Sequence, residues 1–211
     1  MAGNKRWDAL AEWLPHGCNI TGAEVGVDAG KMSDRMLGMF PYMVLYLVDR
    51  WRAYSDEERA RAHETSELPF KDDKYFRAAK RKVEGIARKH NGRGVLIESD
   101  SVAAAQLFDD GSLDFVFIDG DHQYESVYKD LLAWLPKVRR GGVIGGHDYT
   151  LKPDPKKDGV RQAVQDLIGY VSTGANSTWF YRIPEREEDP LLFAHTLLFA
   201  HAESLRQEAG L

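Results

Sequence analysis

Residues 113–149, LDFVFIDGDHQYESVYKDLLAWLPKVRRGGVIGGHDY, carry the pattern that decides the fold. An apolar run from Leu113 to Ile118 suits a strand covered on both faces, and it ends on Asp119, Asp121 and His122. Residues 124–138 read as one amphipathic helix, and the run before His147 and Asp148 reads as a second buried strand. Two strand ends, each tipped with acids and a histidine, are where proton acceptors or metal ligands are expected.

Toward the N-terminus the same alternation repeats. AEVGV (residues 23–27) is a short strand signal, followed by a glycine turn and a helix whose inward face holds Met32, Met36, Met39 and Phe40. YMVLYLVD (residues 42–49) is an apolar run closed by Asp49. Residues 74–90 form a basic amphipathic helix with Phe76, Val83, Ile86 and Ala87 inward, and GVLIESDS follows as a third strand ending near Asp100 and Ser101. Ahead of all this, residues 1–21 hold a short helix with Trp7, Leu10, Ala11 and Leu14 on one face.

Between Asp49 and the basic helix, residues 51–73 are too long and too polar for a plain connection, and SDEERARAH suits a helix within them. Long connections of this kind act as lids or as solvated surface insertions. Beyond Tyr149, the charged, proline-rich residues 150–159 stand next to the candidate site and lead into a helix over residues 159–171. Residues 170–183 read as two strands around a turn at Gly174 to Asn176, antiparallel if they form a hairpin. Residues 190–211 read as a C-terminal helix, apolar in its first half, that packs on the sheet or on a second copy of the chain, so a homodimer is an arrangement it allows.

Composition sets the frame. A chain of 211 residues, 43% hydrophobic and 29% charged, is long enough for one domain with a substantial core, and no linker divides residues 1–211. The net charge of −5 argues against a general nucleic-acid or anionic-membrane surface. The single Cys18 excludes an internal disulfide or a thiolate zinc cluster. No apolar run reaches membrane-spanning length and the first residues lack a secretory pattern, so a cytoplasmic setting is expected.

Alternating strands and helices predict an α/β, doubly wound, Rossmann-like domain. The expectation is a mainly parallel sheet of about seven strands, with a C-terminal antiparallel hairpin and helices on both faces. Ligands of such sheets sit beyond the carboxyl ends of the strands, where the strand order reverses. That rule gathers Gly26, Asp49, Asp100, Asp119 and Asp148 on one edge. In EVGVDAG (residues 24–30), Gly26 and Gly30 allow a sharp turn into a helix, and Asp49, about twenty residues on, can accept bonds from both hydroxyls of a ribose. The G-x-G-x-x-G and GK[ST] patterns are absent, which counts against nicotinamide oxidoreductases and nucleotide triphosphatases. Glu24, in the strand itself, needs a cation or strong donors to be buried, and a ligand's ammonium group is one such cation.

These stretches resemble the class I S-adenosylmethionine-dependent methyltransferases: EVGVDAG, LVDRW, ESDS and, above all, the IDGDH and GGHDY strand ends. They resemble in particular the family-24-like group, which is similar to metal-dependent sugar and natural-product O-methyltransferases. The resemblance extends over residues 23–171 and is weak in the 51–73 insertion. It implies S-adenosylmethionine as cofactor, with Gly26, Gly30 and Glu24 beside its methionine part, Asp49 on the ribose, Asp100 and Ser101 bordering the adenine, and Asp119 at the reaction side. It further implies a divalent cation, magnesium or manganese, held by Asp119, His147 and Asp148.

His147 departs from that pattern, since a carboxylate is usual there. An imidazole shifts metal preference away from magnesium, and His147 is equally readable as a base, a substrate contact or a structural histidine. Asp121 and His122 are the two candidates for the general base that takes the proton of an attacking hydroxyl, with helix capping as the structural alternative for Asp121. Tyr124 and Tyr149 flank the same place, either lining the acceptor pocket or packing. The expected function is O-methylation of a hydroxyl on a sugar or other small metabolite. The alternative is a cofactor-binding partner module without catalysis.

Overall fold

A computed structural model describes residues 5–55, 71–150 and 158–185. In chain order the elements are α1 (Arg6–Ala11), β1 (Ile20–Val25), α2 (Lys31–Met39), β2 (Met43–Asp49), α3 (Asp73–Lys89), β3 (Gly94–Glu98), α4 (Ser101–Ala105) and β4 (Leu113–Ile118). They continue with α5 (Tyr124–Trp134), a 3-10 turn (Leu135–Lys137), β5 (Val138–Gly146), α6 (Gly159–Leu167), β6 (Ser172–Gly174) and β7 (Thr178–Arg182). The seven strands lie in the order β3-β2-β1-β4-β5-β7-β6. β1 to β5 are parallel, β7 runs antiparallel to β5, and β6 pairs antiparallel with β7. The doubly wound sheet and its closing hairpin are as the sequence pattern predicts.

Alternation along each strand divides the core in two. Ala23, Val25, Val116, Ile118 and Ile144 face one side, where Leu131 and Trp134 of α5 and Val164 of α6 cover them. Leu45, Leu47, Phe115, Phe117 and Val143 face the other, against Leu10 of α1, Met36 and Leu37 of α2 and Val83 of α3. Because both faces are covered, these parallel strands carry apolar residues at successive positions.

Local chemistry explains where elements begin and end. The Asp72 carboxylate accepts from the Tyr75 N–H at 2.7 Å to start α3, and Asp100 does the same for Ala103 at 2.9 Å to start α4. Pro136 lacks the amide an α-helix needs, so α5 stops at Trp134 and the chain tightens into the 3-10 turn, shorter than the continuous helix expected to Val138. The N-terminal segment is helical only over Arg6–Ala11, and β1 begins at Ile20, paired with Met43, earlier than the residue 23 expected. On α2 the inward face includes Leu37, whereas Met39 is 37% exposed. The proposed helix within residues 51–73 falls largely outside the described residues, as do most of the 150–159 loop and all of the 190–211 helix. Among the described residues no helix is long and apolar enough to cross a membrane.

Trp134 is fully buried, and its Nε1–H donates to the Ser101 hydroxyl at 2.8 Å, tying α5 to the start of α4. Trp134→Ala removes that bond and opens a cavity, and should lower unfolding stability by about 3–5 kcal/mol in urea titrations.

Candidate active site

The register brings the strand ends level. Val25 stands beside Val48 and Ile118, and Ile118 beside Gly146. The ladder continues one step further through Gly26 N–H to Val48 O (2.9 Å), Asp119 N–H to Val25 O (2.7 Å) and His147 N–H to Ile118 O (3.1 Å). Gly26, Asp119 and His147 therefore open onto one edge. The chain leaves β1 for β2 on one side while β4 lies on the other, which is the reversal of strand order where ligands bind.

Gly26 and Gly30 are required by their backbones. Gly26 has φ 87° and a Cβ there would lie 2.3 Å from the Asp119 carbonyl oxygen; Gly30 has φ 75°, and its Cβ would press on Ile86 at 2.7 Å. Between them Asp28 is also left-handed, at φ 52°. Its N–H donates to one Asp49 oxygen at 2.8 Å, and the Trp51 N–H donates to the other at 2.7 Å. Burial raises the Asp49 carboxyl, while the Trp51 and Asp28 amides act in the opposite sense. The turn is stapled further by Trp51 Nε1–H to the Asp28 carbonyl (2.9 Å), and by Lys71 (2.9 Å) and the Tyr75 hydroxyl (2.8 Å) on the Asp28 carboxylate. Trp51, Lys71 and Tyr75 were not among the sequence candidates; Trp51, two residues past Asp49, carried the one available signal.

Glu24 is buried within β1 and accepts from the Ser33 hydroxyl of α2 at 2.6 Å. Burial pushes its carboxyl from the ordinary 4.5 to about 8; Ser33 and Arg6 oppose the rise, and Asp119 and Asp49 add to it. Asp119 is half-buried, and the water it loses raises its carboxyl to about 6 against the pull of Arg6 and His147. The Arg6 guanidinium, carried by α1, donates directly to Asp119.

At the end of β5, Asp148 has φ 57°, and its Oδ2 lies 3.0 Å from His122 Nε2 and 3.0 Å from His147 Nδ1. Burial alone would raise the Asp148 carboxyl, yet His147, His122 and Arg6 hold it below the usual value. His147 Nδ1 is also 3.5 Å from Asp119. At these distances neither ring nitrogen of His147 has an aligned hydrogen bond among the described residues. Asp119, His122 and Asp148 each offer a ligand atom, all within 4.8 Å of one another. His122 thus joins the cluster where the sequence pattern had placed His147 as ligand.

Other candidates are engaged elsewhere. Asp121 accepts from Gln123 N–H at 3.2 Å and from the Ser126 hydroxyl at 2.9 Å, so it is tied to the start of α5, whose N-cap is Gln123. Asp100 is exposed and caps α4; the Ser101 hydroxyl serves Trp134 and the buried Asp130, whose carboxyl burial raises to about 7. Tyr124 donates to Asp166 at 3.0 Å and stacks on Tyr128, while Tyr149 is buried in the core beside α6.

A family described as "Methyltransferase domain" matches residues 23–149, more than half of the chain and all of this strand-end edge. The chain belongs to this methyltransferase-domain family. Among solved structures, it is similar to CalS11, a calicheamicin methyltransferase, with a TM-score of 0.58 at 16% identity over 83% of this chain and 76% of that one. A Corynebacterium glutamicum protein gives 0.55 at 13% identity, covering 80% and 73%. The O-methyltransferase NovP gives 0.50 at 16%, covering 83% and 74%. These likenesses concern the fold. Uncharacterized protein R132 of Acanthamoeba polyphaga mimivirus is 32% identical over 72 residues, 34% of this chain and 31% of that protein, so the match spans about a third of that relative.

Glu24 supplies a test of this edge. Its proton is bound in the folded chain and released in the unfolded one between pH 4.5 and about 8, so its burial makes stability fall as pH rises through that window. Glu24→Gln keeps an acceptor for Ser33 and removes this contribution. Urea unfolding at about pH 5 and about pH 8 should show a smaller loss of stability in the variant than in the wild type.

Proposed function

We propose that this protein transfers a methyl group from S-adenosylmethionine to the oxygen of a hydroxylated small molecule, a sugar or related metabolite. The observation that carries the reading is the placing of two devices on one sheet edge. One is the Asp49 carboxylate, fixed by the amides of Asp28 and Trp51; the other is the His122–Asp148 pair. Family membership and the likeness in fold to CalS11 and NovP support it.

Both Asp49 oxygens accept from loop amides, and the acceptor capacity that remains on the carboxylate suits a ribose hydroxyl. Glu24, in the strand leading to the glycine turn, suits the cofactor's ammonium group, which would favour its ionised form. When bound, S-adenosylmethionine supplies a methyl carbon on a sulfonium, and displacement by the hydroxyl oxygen leaves a thioether and one proton to be removed. His122 takes that proton: Asp148 at 3.0 Å orients the ring and stabilises the charge it gains. Asp121, with both oxygens committed to the start of α5, is the positioning member of the pair of base candidates.

The donor set of Asp119, His122 and Asp148 favours a second reading, since mixed oxygen and nitrogen ligands fit a divalent ion of the manganese type. Such an ion, when bound, would lower the pKa of the acceptor hydroxyl. A cytoplasmic setting and a homodimer through residues 190–211 belong to the same proposal and rest on the sequence pattern.

Calorimetry with S-adenosylhomocysteine tests the cofactor half. The wild type and His122→Ala should bind it, and Asp49→Ala should lose at least tenfold in affinity. Binding by none of them would reject the reading. With an acceptor found by screening hydroxylated metabolites, His122→Ala should lower turnover by about 10²–10⁴-fold while leaving that affinity in place. Binding without transfer to any acceptor would instead favour the non-catalytic module.

A further inference from the structure

We propose that Arg6 is a built-in cation of the reaction centre, holding Asp119 in the place a divalent ion would need. The helix that carries it is not a loose end. Ala9 and Leu10 of α1, with Leu14 just beyond, are buried in the core shared with α2, and Trp7 stacks with the cations of Lys31 (5.7 Å) and Arg35 (5.9 Å). Arg6 is thereby delivered to Asp119 across 113 residues of sequence, with its side chain 28% exposed and that of Asp119 10% exposed.

The charges around it explain what it does. Glu24, Asp119 and Asp148 each feel the Arg6 guanidinium, so one cation acts on three carboxyl groups gathered at adjacent strand ends. Among the described residues the acids here are Glu24, Asp49, Asp119 and Asp148, and the bases are Arg6, His122 and His147. A divalent ion on Asp119, His122 and Asp148 must share the Asp119 carboxylate with a fixed positive charge and is repelled by it. A guanidinium cannot be deprotonated to make room, and it binds carboxylate through a rigid set of donors. Arg6 therefore selects the metal-free form of the chemistry proposed above, with His122 released from ligation to act as the base. This step rests on that reading only for its catalytic meaning; the competition for Asp119 stands apart from it.

The test uses the metal alone. Purified wild type, Arg6→Lys and Arg6→Gln are titrated with Mn²⁺, with free ion followed by electron paramagnetic resonance, and each is checked for S-adenosylhomocysteine binding by calorimetry. Arg6→Gln should bind Mn²⁺ at least tenfold more tightly than the wild type. Arg6→Lys, which keeps the charge, should stay within a few-fold of the wild type. Adding Asp119→Asn to Arg6→Gln should abolish the gain. Equal Mn²⁺ affinity in wild type and Arg6→Gln, or a gain that survives Asp119→Asn, overturns the proposal. Arg6→Met, which keeps an apolar stem, carries the same comparison if Arg6→Gln does not fold. A Mn²⁺ shift without S-adenosylhomocysteine binding in any protein would reject the cofactor reading and leave the Arg6 competition intact; binding without the shift would do the reverse.

Discussion

Acids drawn wholly or partly out of water at the carboxyl edge of a parallel sheet are the constraint on which this structure turns. Glu24, Asp49 and Asp119 are all pushed upward by burial, and each is tolerated only because another segment brings it a donor or a charge. Ser33 of α2 serves Glu24, the amides of Asp28 and Trp51 serve Asp49, and Arg6 of α1 serves Asp119. The loops after β1 and β2 and the first helix are therefore held in place by the acids they neutralise, as well as by their own apolar residues. A ligand bringing hydroxyls and an ammonium group would meet acceptors whose geometry is already set.

The scaffold was legible because its signal is local and repeated. Apolar runs that end on an acid at Asp49 and Asp119 are strands of a two-sided sheet, and the intervening amphipathic periods are its helices. Boundaries were lost where one residue overrules a pattern. Pro136 cuts α5 short, and Met39, in step with Met32 and Met36, turns outward because Leu37 fills the core instead. The glycine turn and the acid beside it were readable for the same reason: Gly26, Gly30 and Asp49 sit at fixed distances from strand ends.

The reaction side was less legible, since its roles depend on which way short side chains turn. Asp121 and His122 are adjacent in sequence, and nothing local says that the first turns to Ser126 in the first turn of α5 while the second reaches Asp148 across the gap between β4 and β5. Arg6 had no signal at all. Its role requires α1 to cross the sheet edge, and an arginine on an amphipathic helix reads as a solvated charge until the fold places it against Asp119.

The glycine turn and the reaction side are parts of one joint. Gly26 packs so closely on the Asp119 carbonyl that no side chain fits between them, while the Asp119 amide bonds back to Val25. The same turn carries the Asp28 amide onto Asp49, so one short backbone stretch abuts Asp119 and fixes the Asp49 carboxylate. Arg6, carried by α1, donates to the same Asp119, so two segments far apart in sequence, the glycine turn and α1, converge on one residue.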